Sequence, residues 1–309
     1  MALGPYAHPG QIGEARLDSL LTQYNTLLNL PQGVNILESI NSALFPMGGR
    51  VNYQSDSSTG GTVALNSHTP ILFESGTTGS NTIDFQSNGV SALIVLQASN
   101  SMNFNDAGGG PGDTIIGSSG ANQYIKVNSG DNVIVSGNGK STLVAGAGND
   151  SLYAGHKSHD LMEARNGSTF MRGGFSASST DTLVGGSGSD TIKVKFGNNV
   201  INAGSGAETI ISFDNGSGSS TGPNGDSISL TGNGTDLVNI KAGTAMDTVV
   251  FGGTMGNDTI QTAGAVTVDI ASSEKLTGID ETNGVTTLSF ADNQTLTYSG
   301  AGHVTLNFS

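Results

Sequence analysis

Large apolar residues recur through the middle of the chain at steps of 9 or 10: Ile115, Tyr124, Val133, Leu143, Leu152, Met162, then Leu183, Ile192, Ile201 and Ile210. One gap, near Phe170, has room for a further step. Two residues before these positions stand Asp113, Asn122, Asp131, Ser141, Asp150, Asp160, Asp181, Asp190, Asn199 and Glu208, nine of the ten being Asp, Asn or Glu. The pairing continues with Asp226 before Ile228, Asp236 before Val238, Asp247 before Val249 and Asp258 before Ile260. A chain with only 25 acidic residues does not place them in one phase by chance. The period is neither the 3.6 of a helix nor the 2 of a strand. It marks a small unit that buries its apolar side only by stacking on its neighbours. Each unit reads as a turn followed by a very short strand, and two units make one coil of a solenoid with the apolar residue pointing inward.

Outside this series the pattern changes. Leu17, Leu20, Leu21, Tyr24, Leu27 and Leu28 fall on helical spacing within residues 11–45, and Pro31 ends that run. A second short helix is expected at Gln32–Leu44, with Ile36, Leu37, Ile40 and Leu44 on one face. Ser/Thr/Gly-rich strands follow at Thr62–Leu65, Ile71–Phe73, Thr82–Phe85 and Ala92–Gln97, with apolar anchors at Ile83, Leu93 and Phe104 leading into Ile115. After Asp226 short strands continue. The last ones, Thr286–Phe290, Gln294–Tyr298 and Val304–Phe308, alternate with period 2 and predict an antiparallel cap or a small sandwich, with a turn at Asp292-Asn293. The glycine-serine stretch Asn215–Gly225 is the best candidate for a loop or boundary.

Glycine gives the turns their chemistry. The clearest unit, Gly185-Gly186-Ser187-Gly188-Ser189-Asp190-Thr191-Ile192-Lys193, spells G-G-x-G-x-D-x-U-x, and Ala145-Gly146-Ala147-Gly148-Asn149-Asp150-Ser151-Leu152-Tyr153 departs from it by one Ala. Such a turn visits positive φ and lets the backbone approach an ion closely. The carboxylate at its end can share that ion with the turn one coil away, and calcium suits the mixture because it takes 6–8 oxygen ligands, carboxylate and carbonyl alike. Same-side turns lie two units apart, which sorts the polar positions into two columns. Asp113, Asp131, Asp150, a turn near Thr169, Asp190, Glu208 and Asp226 form the first; Asn122, Ser141, Asp160, Asp181 and Asn199 form the second. The first is richer in carboxylate, so calcium is expected mainly along one edge, with Asx side-chain ladders on the other.

Residues of about 105–230 resemble the repeats-in-toxin family, the hemolysin-type calcium-binding repeats. The resemblance implies a parallel β-roll, calcium-triggered folding and export from a Gram-negative bacterium through a type I channel. The expected fold is all-β: a parallel β-roll or β-solenoid with short N-terminal helices and a β-rich C-terminal cap. The expected organisation is 1–50 as helical cap or assembly segment and 51–105 as the start of the solenoid. Residues 106–230 would then form the calcium-binding roll, and 231–309 a β-rich continuation or cap with a type I secretion signal. The expected calcium ligands are Asp113, Asp131, Asp150, Asp160, Asp181, Asp190, Glu208, Asp226 and Asp258, with Gly146, Gly148, Gly186 and Gly188 in the turns.

Composition narrows the function. Net charge is −14, from 11 Lys plus Arg against 25 Asp plus Glu, so a basic nucleic-acid footprint is absent. Cysteine is absent, which excludes disulfides and thiolate metal sites. No run of 18 apolar residues exists to span a membrane, and no cleaved signal peptide is visible at the N-terminus. Gly139-Lys140-Ser141-Thr142 imitates a phosphate loop, but the glycine required five residues earlier is Ile134. His156, His159, Asp160 and Glu163 bring imidazoles and carboxylates together without the zinc-protease pattern. The acids are explained by the turns, and no enzyme is expected. The reading is a secreted, calcium-binding structural protein that self-assembles outside the cell as surface layer, filament or biofilm matrix, its partners being further copies of itself. The alternative is an adhesin or a carbohydrate- or ice-binding module, with a cell-surface polysaccharide as partner; a third reading, ranked below it, is an enzyme acting on polysaccharide.

Overall fold

The computed structural model describes residues 53–56, 61–64, 71–74, 81–86 and 91–96, and residues 101–309 apart from 107, 118–121, 138, 156–158, 174–178, 214–224, 231, 242–245 and 254–255. The helices expected within 11–45, and nearly all of the loop expected at 215–225, lie outside the described residues. The described residues form 26 strands and no helix, in two compact units, 1–144 and 145–309.

The first unit holds β1 (Tyr53–Asp56), β2 (Gly61–Ala64), β3 (Ile71–Glu74), β4 (Asn81–Gln86), β5 (Leu93–Leu96), β6 (Met102–Asp106), β7 (Thr114–Ile116), β8 (Gln123–Val127), β9 (Val133–Val135) and β10 (Ser141–Val144). Odd-numbered strands stack in chain order into one parallel sheet and even-numbered strands into another. That is the solenoid the spacing predicts, each strand pairing with the strand two places on. Ile94, Ile115 and Ile134 line the inner face of the odd sheet; Ile83, Phe104, Ile125 and Leu143 line that of the even sheet, and each is fully buried. The rings of Phe85 and Phe104 meet at 5.6 Å between centroids.

Three inward positions differ from the expected phase by one residue, the first being Ile94, which is buried in register with Ile115 where Leu93 was expected. Ile125 and Ile134 are buried where Tyr124 and Val133 were expected, and Tyr124 is exposed on the outer face. A tyrosine carries a hydroxyl that must be hydrated or paired, so the neighbouring β-branched aliphatic takes the interior and the ring goes outside. A one-residue slip turns every side chain to the other face, and it moves the polar position too. Gln123 and Asn132 are buried, whereas Asn122 and Asp131 are exposed.

The second unit holds β11 (Ser151–Tyr153), β12 (Leu161–Glu163), β13 (Phe170–Gly173), β14 (Thr182–Val184), β15 (Thr191–Val194), β16 (Val200–Asn202), β17 (Thr209–Ser212), β18 (Ser227–Leu230), β19 (Leu237–Ile240), β20 (Asp247–Phe251), β21 (Asn257–Thr262), β22 (Val266–Ile270), β23 (Leu276–Thr282), β24 (Val285–Phe290), β25 (Thr295–Ser299) and β26 (Val304–Phe308). Odd strands β11 to β21 again stack in parallel, and even strands β12 to β22 do the same. Leu152, Met171, Ile192, Ile210, Val238 and Ile260 form one buried ladder; Met162, Leu183, Ile201, Ile228, Val249 and Val268 form the other. Met171 fills the gap the sequence left near Phe170. Each such side chain stabilises by about 1.5–3 kcal/mol when fully buried, and it reaches burial only between the coils on either side.

The C-terminal end partly follows its period-2 pattern. Strands β23, β24 and β25 are antiparallel, with a tight turn at Asn283-Gly284 (φ 54° and 77°) and another at Asn293 (φ 61°). Strand β25 returns to pair parallel with β21, and β26 pairs parallel with β22, so both extend the solenoid's sheets and no separate sandwich forms.

Candidate metal centre in the turn columns

Each strand is entered through a turn, and the residue two before the inward side chain lies at the end of that turn. In the second unit, Asp150, Thr169, Asp190, Glu208, Asp236 and Asp258 occupy this position on the odd sheet, and Asp160, Asp181, Asn199, Asp226 and Asp247 on the even sheet; all are buried. Asp113 and Asn132 occupy it on the odd sheet of the first unit. Asp131 is therefore displaced from the column by Asn132. Asp226 belongs to the even column and not to the odd one, because β18 follows β17 directly: the 18 residues from Glu208 to Asp226 make one step between the sheets, where the period predicts two. With Asp226 and Asp247 added, the even column is not the carboxylate-poor edge that the sequence implied.

The column side chains build a ladder on both edges. Asp190 Oδ1 accepts the amide of Thr169 at 2.7 Å, Asp236 Oδ1 that of Glu208 at 2.9 Å, and Asp258 Oδ1 that of Asp236 at 2.9 Å. On the other edge the amide of Asp160 donates to Asp181, that of Asp181 to Asn199, that of Asn199 to Asp226 and that of Asp226 to Asp247, at 2.8–3.1 Å. In the first unit the amides of Ala92 and Asp113 donate to Asp113 and Asn132 in the same way. Every one of these bonds runs from the backbone of one coil to the side chain of the next. Asn serves the ladder as well as Asp, because only an acceptor one carbon from Cβ is required.

Carboxylate oxygens beyond the ladder decide where a cation is wanted. Asp190 Oδ2 accepts the Gly186 amide at 2.7 Å, Asp160 Oδ2 that of Gly155 at 3.0 Å, and Asp226 Oδ2 the Ser212 hydroxyl at 2.8 Å. Glu208 differs. Its side chain is one methylene longer, both of its oxygens are buried, and neither has a hydrogen-bond donor. Asp258 Oδ2 is likewise buried without a donor. Burial, and then the neighbouring carboxylates Asp236 and Asp190, push the Glu208 carboxyl up to about 9. Burial raises Asp258 to about 7, with Asp236 adding to the shift. Burial also raises Asp190 and Asp113. Asp106, at the end of β6, is raised to about 7 by burial and by the charge of Asp113.

Backbone oxygens complete the donor set. Gly167, Gly188, Gly206, Gly234 and Gly256 stack so closely that a Cβ on any of them would strike the carbonyl oxygen of the glycine one coil before. Gly206 shows the need most clearly: its missing side chain leaves space that the Gly188 carbonyl and Glu208 Oε1 border together. Gly148 opens the column in the left-handed region (φ 130°), and Gly186 places its amide on Asp190. Among the described residues no three carboxylates or imidazoles converge on one point. What the turns offer is one carboxylate per coil beside glycine carbonyls, an all-oxygen set that fits a hard, flexible cation such as Ca²⁺. The residues fit that ion best at Glu208 and Asp258, where buried carboxyl oxygen lacks a donor.

His159 Nδ1 meets the Thr180 hydroxyl at 2.6 Å, one coil on, which ties it to the solenoid wall. No serine-hydrolase elbow was expected, yet Gly218-Ser219-Ser220-Thr221-Gly222 has that spacing; it lies in the glycine-serine stretch outside the described residues. Asp106 is the buried acid that sequence reasoning missed. It stands outside the nine-residue phase, and its only signal was the glycine run two residues later.

Residues 127–155 and 184–212 match the family model of the RTX calcium-binding nonapeptide repeat, in four copies. No curated protein and no solved structure matches the chain.

Proposed function

From the premise that this chain carries RTX calcium-binding nonapeptide repeats, which bind calcium, we propose that it is a secreted structural protein whose solenoid becomes stable, and assembles with further copies, as calcium enters its turns. The observation that carries this reading is Glu208, a buried carboxylate with no donor on either oxygen between two other acids of its column. Only a proton or a cation can hold it there, and outside a cell calcium is abundant enough to be that cation. Its expected ligands are Glu208, Asp258, Asp236, Asp190 and Asp150, with the turn carbonyls around Gly188 and Gly148. Asp113, Asp160, Asp181 and Asp226 serve first as ladder acceptors.

Calcium supplies the positive charge in those turns, and the chain's own groups do the rest. The Asx ladder fixes the register between coils, and the glycines hold their carbonyls a backbone's width apart. Self-assembly is supported by the sheet ends. Strands β23 and β26 are the last strands of their sheets, and they leave Ile279 (60 % exposed) and Phe308 (53 % exposed) in solvent. An unpaired edge with apolar side chains is a template for another chain. The reading is non-catalytic.

The test is a calcium titration of the purified, chelated chain, followed by circular dichroism and light scattering together. β-structure and large particles growing together support a calcium-gated assembly protein. Folding at constant particle size removes the assembly half of the proposal, and no response in either signal removes both halves.

A further inference from the structure

We propose that the outer face of β4, β6 and β8 is a binding site for a neutral saccharide. Asp84, Asn103, Asn105, Tyr124 and Lys126 line one open groove of about 450 Å³ there. The parallel register brings them together: Asp84 pairs with Asn105 and Asn105 with Lys126 along one row, while Asn103 pairs with Tyr124 along the next. Strands about 4.8 Å apart, and same-face residues roughly 7 Å apart along each strand, give these five side chains the footprint of one or two sugar rings.

The decisive atom is Asn105 Oδ1. The Asn105 amide nitrogen donates to Asp84 Oδ1 at 2.9 Å, which fixes the orientation of the amide, while its own oxygen is buried and has no donor. An acceptor left without a partner beneath the groove is satisfied when a small side-chain movement opens it to an O–H from the ligand. Sugar hydroxyls supply it, and the adjoining Asp84 carboxylate accepts a second one. The Lys126 ammonium donates to ring or hydroxyl oxygens, and the exposed Tyr124 offers an aromatic surface to the C–H face of a sugar. One acid and one ammonium leave the groove without a net charge of its own. The chain as a whole, at −14, repels acidic polymers. The groove shares no residue with the calcium columns, so this site is independent of the assembly reading.

The test is native affinity electrophoresis of the full calcium-loaded chain, at concentrations below any light-scattering onset. Gels contain a dissolved β-glucan, mannan or galactan, or hyaluronan as the acidic control. At least one neutral polysaccharide should retard the wild type, and Tyr124→Ala and Asn103→Ala should each weaken retardation about tenfold or more. Both side chains are exposed, so circular dichroism should match wild type; if Tyr124→Ala loses its β signal, Asn103→Ala alone decides. Retardation by no neutral polymer, retardation by hyaluronan alone, or retardation unchanged in the variants overturns the proposal. None of these results would alter the calcium titration.

Discussion

Replacing Glu208 with glutamine should stabilise the metal-free protein and at the same time blunt its response to calcium. An unfolded glutamate ionises near 4.5, whereas the folded Glu208 does so at about 9. Between those values the folded state keeps a proton that the unfolded state has lost, so rising pH favours unfolding. The contribution is therefore most favourable below about 4.5, declines steadily above it, and levels off beyond about 9. Inside the window each pH unit costs up to about 1.4 kcal/mol. Water and the adjoining turns relax around a new charge, so over two units we expect a loss of roughly 1–3 kcal/mol. Glutamine imitates the protonated acid and carries no such slope. Urea unfolding in chelator at pH 6 and pH 8 reads this directly: Glu208→Gln should lose less stability over that range than wild type. If wild type is already unfolded at pH 8, the variant should be the more folded of the two. With calcium restored the order should reverse, because the variant has lost an anionic ligand. Parallel pH slopes for the two proteins, or an undiminished calcium response in the variant, would refute the reasoning from Glu208.

Other substitutions separate the ladder from the ion. Asp236→Ala should cost about 1–3 kcal/mol by leaving the buried Glu208 amide without its acceptor, and Asp236→Asn should recover most of that loss in chelator but not the full calcium affinity. Asp131→Ala, at an exposed position outside the column, should change thermal stability by less than about 0.5 kcal/mol and leave calcium binding as it was. Gly206→Ala drives a methyl into the Gly188 carbonyl, and its melting temperature should fall by several degrees even in saturating calcium. Asp106→Asn should flatten the fall in metal-free stability between about pH 4 and 7, since Asp106 is held protonated up to about 7 beside Asp113; hydrogen exchange in β6 and β7 would report it.

How far the fold could be read in advance depended on how strictly each coil repeats. From Ser141 to Glu208 every inward residue and every column residue that the spacing named fell where it was placed, and Met171 and Thr169 filled the gap it had left near Phe170. Where turns vary by a residue, the period alone cannot choose between two adjacent apolar side chains. The structure chose Ile125 over Tyr124, because an aliphatic side chain packs inside without a polar tip to satisfy, and Ile134 over Val133, the larger of two aliphatic neighbours. The same ambiguity misplaced Asp131. Asp226 was misassigned for a different reason: the 18 residues after Glu208 hold one step between sheets, whereas a nine-residue period counts two. The even column's ladder was expected, but that the odd column uses its carboxylates in the same way was not, since a side chain's backbone partner one coil away carries no sequence signature. Asn283-Gly284, by contrast, did carry a signal, since Asn-Gly takes positive φ at both positions of a tight hairpin, but only the turn at Asp292-Asn293 was read.

Because every ladder bond joins equivalent positions of successive coils, the solenoid's length is quantised. Thr191 in β15 sits directly beside Thr209 in β17. Excising the eighteen residues Thr191–Glu208 would bring Thr209 onto the end of Asp190, with both sheets still in phase. Deleting only nine would transpose the two sheets from that point onward and strand each side chain against the wrong neighbour. A chain built this way can be shortened or lengthened by gene rearrangements in whole coils with little penalty, and a ruler of graded lengths could be cut from this single sequence.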